Sequence, residues 1–261
     1  MLGGLLNKIQ MNIIVPLAGK DKNFESRGMI KPLTKVCGKE IIKWISESRP
    51  FSYENAIFIV LREHQEKYRI ADELKKLFGE RIRIVIAEQM TEGSPQSILL
   101  AKHLINNDER LLIDLGDQYL DLSDFDKTMR KEFIKQDKEK YDGIIPTFKA
   151  YYWNQGYMII GEDGLVKRVS EKDPVPISND STACISYFKH GSDFVKYVEQ
   201  MIAKKRTAAN GIYLPSLTYN EMIEDGKKIT TCPCELIVNL GKVEGADVFE
   251  QINRPLKWKQ K

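Results

Sequence analysis

An apolar, β-branched run, Asn12-Ile13-Ile14-Val15-Pro16-Leu17, ends in Ala18-Gly19, and a polar loop carrying Lys20, Lys22 and Asn23 follows it. A strand that feeds a glycine turn at the carboxyl edge of a sheet is where open α/β folds hold phosphates, because backbone N–H groups are free there. The triplet Lys31-Pro32-Leu33 returns a lysine to this loop, and its charge suits a polyphosphate. A second stretch, Leu111-Leu112-Ile113-Asp114-Leu115-Gly116-Asp117-Gln118-Tyr119, ends a strand in Gly116-Asp117 beside that loop. Magnesium takes one or two carboxylates and completes its shell with water and substrate phosphate, so Asp117 alone suffices as a ligand candidate. The competing role for such an aspartate is a turn or helix cap. Asp114 lies within the strand on a face the pattern does not assign, and Asp121 reads as a cap.

Two further stretches carry polar groups at strand ends. Glu88-Gln89-Met90-Thr91-Glu92-Gly93-Ser94 precedes a helix whose start is marked by Ser94 and Pro95. Gly93 would let a flat ligand approach backbone N–H and C=O groups that read a nucleobase edge; a plain strand–helix turn fits the same residues. Val169-Ser170-Glu171-Lys172-Asp173-Pro174 closes a later strand. Adjacent side chains of an extended segment point to opposite sides. Glu171 could then take hydroxyls or an amine and Lys172 a phosphate, although a solvated charge run would look alike.

These residues need a sheet to position them. Ile13–Leu17, Ala56–Leu61, Ile82–Ala87 and Leu111–Leu115 are short apolar runs expected as buried strands. Amphipathic stretches separate them at Glu40–Ser48, Glu63–Phe78 and Ser94–Ile105. The alternation predicts a doubly wound, mostly parallel, Rossmann-like α/β sheet with helices on both faces. Beyond about Lys140 strands follow one another at Asp142–Lys149, Gly156–Ile160, Leu165–Val169 and Ala183–Phe188, with Gly161-Glu162-Asp163-Gly164 as a hairpin turn. Helices are expected near Ser192–Lys204 and Leu214–Asp225. A strand pair at Lys228–Thr231 and Glu235–Leu240 and a helix near Glu244–Gln251 complete the pattern. The division expected is a nucleotide-binding half, 11–140, and a smaller acceptor-binding lobe, 141–252, on the same sheet. Residues 1–10 and 253–261 are terminal extensions, with Met11 opening the domain proper.

Composition narrows the function classes. With 40 basic and 37 acidic residues interleaved over 261 positions, the net charge of +3 demands neither nucleic acid nor an anionic membrane. Arg254, Lys257, Lys259 and Lys261 read as a solvated tail. Cys37, Cys184, Cys232 and Cys234 form no zinc pattern, since Cys-Pro-Cys is too tight and no second pair completes it. Reduced thiols in a cytoplasmic protein are expected. His64, His103 and His190 are scattered. Residues 1–10 have no cleavage pattern of a signal peptide, and no apolar run is long enough to span a membrane.

In order, the four stretches resemble the sugar-phosphate nucleotidylyltransferases, or nucleotide-sugar pyrophosphorylases, from Met11 to about Phe249. Leu17-Ala18-Gly19 and Ile30-Lys31-Pro32-Leu33 are similar to that family's Leu-Ala-Gly and Pro-Lys-Pro-Leu. Gly38-Lys39 with Ile41-Ile42 is similar to its Gly-Lys-Pro-Met-Ile turn, Thr91-Glu92-Gly93 to its base-contacting turn, and Gly116-Asp117 to its magnesium aspartate. Glu171-Lys172 resembles the pair implied to hold the sugar and its phosphate, and Asn239-Leu240-Gly241 a late segment that can approach the metal. The phosphate loop departs from the pattern: Asp21 stands at the second glycine and Asn23 at the phosphate-gripping arginine. Asparagine carries no charge for the transferring phosphoryl, so Lys20, Lys22 or Arg27 would have to replace it. Cys184 takes the place of a glycine facing the sugar and would reshape the acceptor pocket, and Ile30 replaces a proline.

The resemblance implies Mg²⁺-dependent transfer of a nucleotidyl group from an NTP to a small phosphorylated acceptor, with pyrophosphate released. The acceptor is a sugar 1-phosphate, or a non-sugar phosphate destined for a surface polysaccharide such as a capsule, in which case CTP is the expected donor. The implied catalytic residues are Lys31, Asp117 and Lys172. Leu17, Ala18, Gly19, Lys20, Lys22, Asn23, Glu88, Thr91, Glu92, Gly93 and Gly116 would meet the nucleotide. Glu171, Lys172 and Cys184 would meet the acceptor, and Asp117 and Asn239 the metal. The partners expected are these two substrates, without nucleic acid or membrane, and self-association into a homo-oligomer is compatible with them. Two other readings stay open. One is a glycosyltransferase of related topology using a nucleotide sugar, with Asp114 and Asp117 as a carboxylate pair. The other is a catalytically silent relative that binds nucleotide.

Overall fold

A computed structural model describes residues 11–134, 140–152 and 154–253. The extension expected at 1–10 lies outside them, as does the one expected at 253–261, with its basic tail, except for Asn253, which ends the last helix. The first strands are β1 (Met11–Leu17), β2 (Lys35–Val36), β3 (Lys39–Glu40), β4 (Ile57–Leu61), β5 (Arg83–Ala87), β6 (Arg110–Asp114) and β7 (Gln118–Asp121). They are followed by β8 (Gly143–Lys149), β9 (Gly156–Ile160), β10 (Val166–Glu171), β11 (Asp180–Thr182), β12 (Ile185–Phe188), β13 (Ile229–Pro233) and β14 (Glu235–Asn239). The first helices are α1 (Lys22–Glu25), α2 (Ile41–Glu47), α3 (Arg62–Tyr68), α4 (Ile70–Phe78) and α5 (Ser94–Leu99). The rest are α6 (Lys102–Ile105), α7 (Ser123–Ile134), α8 (Gly191–Ala203), α9 (Thr218–Glu224) and α10 (Val243–Asn253).

The main sheet has ten strands in the order β10-β9-β11-β8-β12-β6-β1-β4-β5, with β13 added parallel to β8. β6, β1, β4 and β5 are all parallel, with Ile14 of β1 paired to Ile57 on one side and Ile113 on the other. β12 turns the direction: it runs antiparallel to both β6 and β8 and carries the sheet into its second half. Alternate residues of β1 feed two cores. Ile14 joins Ile98, Phe194 and Tyr219 from α5, α8 and α9 on one face. Ile13, Val15 and Leu17 join Ile42, Ile70, Leu74 and Phe125 from α2, α4 and α7 on the other. A strand covered on both faces must be apolar throughout, which is why β4 reads Ile-Phe-Ile-Val-Leu with every residue buried. The doubly wound α/β reading is therefore the architecture observed.

Three details differ from expectation. The helix expected over Glu63–Phe78 breaks at Arg69, which takes a left-handed φ of 52° between α3 and α4. Gln65 Oε1 accepts from Ala71 N at 2.8 Å there and helps hold the break. The stretch Ser94–Ile105 likewise divides into α5 and α6. The segments near Lys228–Thr231 and Glu235–Leu240 are strands, but they do not pair with each other. β13 lies on β8, whereas β14 pairs antiparallel with β7. Only Cys234 separates them, too little chain for a hairpin, whose loop needs about two residues or more.

Candidate active site

Two cavities open along the carboxyl edge of β1 and β6, and Leu115 lines both. The first, about 120 Å³, is built from the loop after β1 and includes Leu17, Gly19, Lys20, Asp21, Glu25, Lys31 and His64. The second, about 180 Å³, includes Asp117, Gln118, Gly156, Glu171, Lys172, Thr182, Cys184, Ser216, Asn239 and Lys242. The second half of the chain thus brings its strand ends β10 and β12 and the β14 turn to the edge where the first loop ends.

Lys31 sits at the start of a 3-10 turn, Lys31–Leu33, and forms no ion pair among the described residues. The loop before it is committed otherwise. Lys20 is ion-paired with Glu63 at the start of α3, which raises the ammonium above its ordinary range through that bond. Asp21 caps α1, its carboxylate accepting from Asn23 N at 3.0 Å. Lys22 and Asn23 are exposed on α1 and do not line the cavity. Ala18 is buried in the core rather than displayed. The next α3 residue, His64, is 3% exposed and meets Glu25 at 3.3 Å.

Asp117 leaves β6 through Gly116, whose φ of +67° is cheap only for glycine. Its Oδ1 is buried with no hydrogen-bond partner. Asn239 reaches the same place because β14 pairs with β7, placing Asn239 opposite Gln118. Between them lies Gly241: its N–H donates to Asp117 O at 2.7 Å and to Asn239 Oδ1 at 2.9 Å. A Cβ there would fall 2.9 Å from Asn239 Oδ1 and 3.1 Å from Asp117 Oδ2. A carboxylate with one oxygen left without a partner and a nearby amide oxygen are hard donors of the kind Mg²⁺ takes. Among the described residues no cluster of three His, Cys, Asp or Glu side chains forms a metal centre.

Glu171 forms the floor of the second cavity. It is 7% exposed, accepts from the Ser216 hydroxyl and from Thr182 Oγ1 at 3.2 Å, and burial raises its carboxyl above the ordinary range. Lys172, in a left-handed conformation with φ of 61°, donates to Asn154 O at 3.1 Å. Cys184 lines the wall beside Gln118, whose Oε1 accepts from Cys184 N at 3.0 Å. Burial pushes its thiol well above the usual range, so it is a neutral, small, apolar surface. None of the four cysteines is in a disulfide.

Other sequence-predicted residues have duties outside these cavities. Asp114 is fully buried and bonded to Arg49 and Tyr53, so it cannot serve as half of a carboxylate pair with Asp117. Asp121 accepts from Ser123 N at 2.9 Å as the expected cap of α7. Glu88 is ion-paired with Arg62, and the Thr91 hydroxyl donates to Gly93 O at 2.9 Å. The bare face of Gly93 is taken by protein: a Cβ there would sit 2.1 Å from Tyr213 O, and Tyr213 N donates to Glu92 O. Gln118, Ser216 and Lys242 were not foreseen. For Lys242 the signal was present, since it directly follows Asn239-Leu240-Gly241.

Neither a protein-family model nor a curated protein matches the sequence. Solved structures do match the fold. The nucleoside-diphosphate-sugar pyrophosphorylase of Vibrio cholerae RC9 superposes with a TM-score of 0.71 at 17% identity, covering 92% of this chain and 99% of that one. A UDP-glucose pyrophosphorylase solved with UDP-glucose gives 0.69 at 13% identity, covering 94% and 98%. No helix of the described residues is long and apolar enough to cross a membrane. The chain has the fold of the sugar-phosphate nucleotidylyltransferases.

Proposed function

We propose that this protein transfers a nucleotidyl group from an NTP to a small phosphorylated acceptor. A phosphate oxygen of the acceptor attacks the α-phosphorus in line, the bond from that phosphorus to the bridging oxygen breaks, and pyrophosphate leaves. Such chemistry needs positioning and charge neutralisation more than a protein nucleophile. The observation that carries the reading is Asp117, which lines the second cavity and whose Oδ1 is buried without a partner; Leu115, two residues before it, lines both cavities. Asp117 and Asn239 would hold Mg²⁺, which when bound neutralises phosphate charge. Lys31 neutralises the NTP phosphates, Lys172 holds the acceptor phosphate, and Glu171 takes its hydroxyls. A cavity of about 180 Å³ walled by hydroxyls, amides and one thiol suits a small polar acceptor, a sugar 1-phosphate or a non-sugar phosphate. CTP as donor, a cytoplasmic location and a role in surface polysaccharide supply are part of this proposal.

The glycosyltransferase reading loses its carboxylate pair, because Asp114 is locked into the core, and pyrophosphate release separates it from nucleotidyl transfer. The silent nucleotide-binding reading keeps one specific observation, the neutralisation of Lys20 by Glu63. The test is thermal stability with ATP, GTP, CTP and UTP, each with and without Mg²⁺, followed by pyrophosphate release over phosphorylated acceptors. One NTP should raise the midpoint, more so with Mg²⁺, and the paired acceptor should release pyrophosphate. Lys31→Ala should abolish release while the fold persists. Nucleotide binding without release from any acceptor would favour the silent relative.

A further inference from the structure

Resting on that reading, we propose that Lys242 is a second acceptor-phosphate residue beside Lys172 in the lining of one cavity, and that the pair selects phosphate monoesters in their dianionic form. Lys242 lines the cavity that holds Asp117, Glu171, Lys172 and Asn239, and it does not line the phosphate-loop cavity. Its backbone is fixed by the turn that brings Asn239 to Asp117, through Gly241 N on Asp117 O at 2.7 Å. The side chain forms no ion pair among the described residues.

Charge makes the case. Of the lysines lining the two cavities, Lys20 is spent on Glu63, which leaves Lys31 in one and Lys172 and Lys242 in the other. Among the described residues, Lys172 Nζ has only a carbonyl partner, Asn154 O at 3.1 Å. Asp117 and Glu171 line the same space, so a dianion entering it would meet two carboxyl groups against a single ammonium without Lys242. The position is also poor for the fold. Lys242 O accepts from Ala246 N at 3.1 Å, so the residue stands at the N-terminus of α10, where helix dipoles disfavour a cation. A phosphate seated beside it reverses that penalty.

The experiment is equilibrium binding with wild type, Lys242→Ala and Lys242→Arg. The probes are methyl phosphate, a dianion at about pH 8, dimethyl phosphate, a monoanion, and each NTP with Mg²⁺. Wild type should prefer methyl phosphate. Lys242→Ala should weaken methyl phosphate about tenfold, the scale of one charge-assisted hydrogen bond, and remove most of the preference over dimethyl phosphate. Lys242→Arg should restore it, and NTP affinity should be unchanged in both variants. Intact NTP binding with methyl phosphate affinity unmoved by Lys242→Ala overturns the assignment alone. Equal weakening of NTP and methyl phosphate moves Lys242 to the donor and overturns it too. Wild type that binds neither NTP nor methyl phosphate overturns the nucleotidyl-transfer reading, and this assignment with it.

Discussion

Arg49 and Asp114 form a fully buried ion pair under the second cavity, Nε to Oδ2 at 2.6 Å with no exposure of either side chain. The Tyr53 hydroxyl donates to the same oxygen at 2.6 Å, and Arg49 Nη2 reaches Gln118 O at 2.9 Å and Cys184 Sγ at 3.8 Å. Gln118 and Cys184 are themselves walls of the cavity. The pair therefore supports the walls of the second cavity from below and does not line it.

Removing one partner should be costly, because it strands the other charge in the core. Arg49→Met or Asp114→Leu should each lose about 3–5 kcal/mol of unfolding free energy, whereas the double variant should recover much of it. Denaturant unfolding of the three variants measures this. Equal losses in the singles and the double would mean the pair supports the fold through shape alone.

Glu171 gives a pH dependence whose sign follows from burial. Burial is the largest influence on its carboxyl and raises it; the bonds from Ser216 and Thr182 and the charge of Lys172 act the other way. The folded chain then holds the proton more tightly than the unfolded one. The stability this contributes is complete below the unfolded value, about 4.3, and is lost as pH rises through the folded value. Glu171→Gln keeps an oxygen for Ser216 and Thr182 and does not titrate. Its melting temperature relative to wild type should therefore climb as pH rises through that window and level off above it. A gap that closes with rising pH would show that the ionised carboxylate is the better-accommodated form.

The sheet was legible because its strands are buried on both faces. Runs such as Ile57–Leu61 have no polar interruption, and Ala18-Gly19 and Gly116-Asp117 mark their ends by residue type alone. Asp117, Glu171, Lys172, Cys184 and Asn239, each singled out by residue type in the sequence, line one cavity. Less legible was anything decided between distant segments. In the β7–β14 ribbon the stretch 235–240 reads as a strand, but its partner β7 does not, and the pairing emerges only when the two are placed side by side. Asp114 and Asp117 are equally acidic in sequence; Arg49, arriving from 65 positions away, makes the first a core ion pair, while the second keeps an oxygen without a partner. Gly93 shows the same limit, since a glycine that admits a ligand and one that admits Tyr213 are the same letter.

Gly156 tests whether the acceptor cavity is used as proposed. It pairs with Glu171 across β9 and β10, and a Cβ on it would fall 2.2 Å from Glu171 Oε1 and 2.4 Å from Thr182 Oγ1. Gly156→Ala cannot fit without displacing the carboxyl from the floor of the cavity. Overpacking of this kind costs about 1–3 kcal/mol, small enough for the sheet to survive with Glu171 turned away. The expected result is a folded protein whose NTP-induced thermal shift is intact, because the phosphate-loop cavity lies elsewhere. Its KM for the acceptor should rise about tenfold or more, the loss of one hydrogen bond to a charged group. Comparison with Glu171→Ala separates the two causes. If the carboxyl is what the acceptor meets, both variants should raise KM alike, and the double variant should be no worse than either. A Gly156→Ala enzyme with unaltered KM would remove Glu171 from acceptor binding.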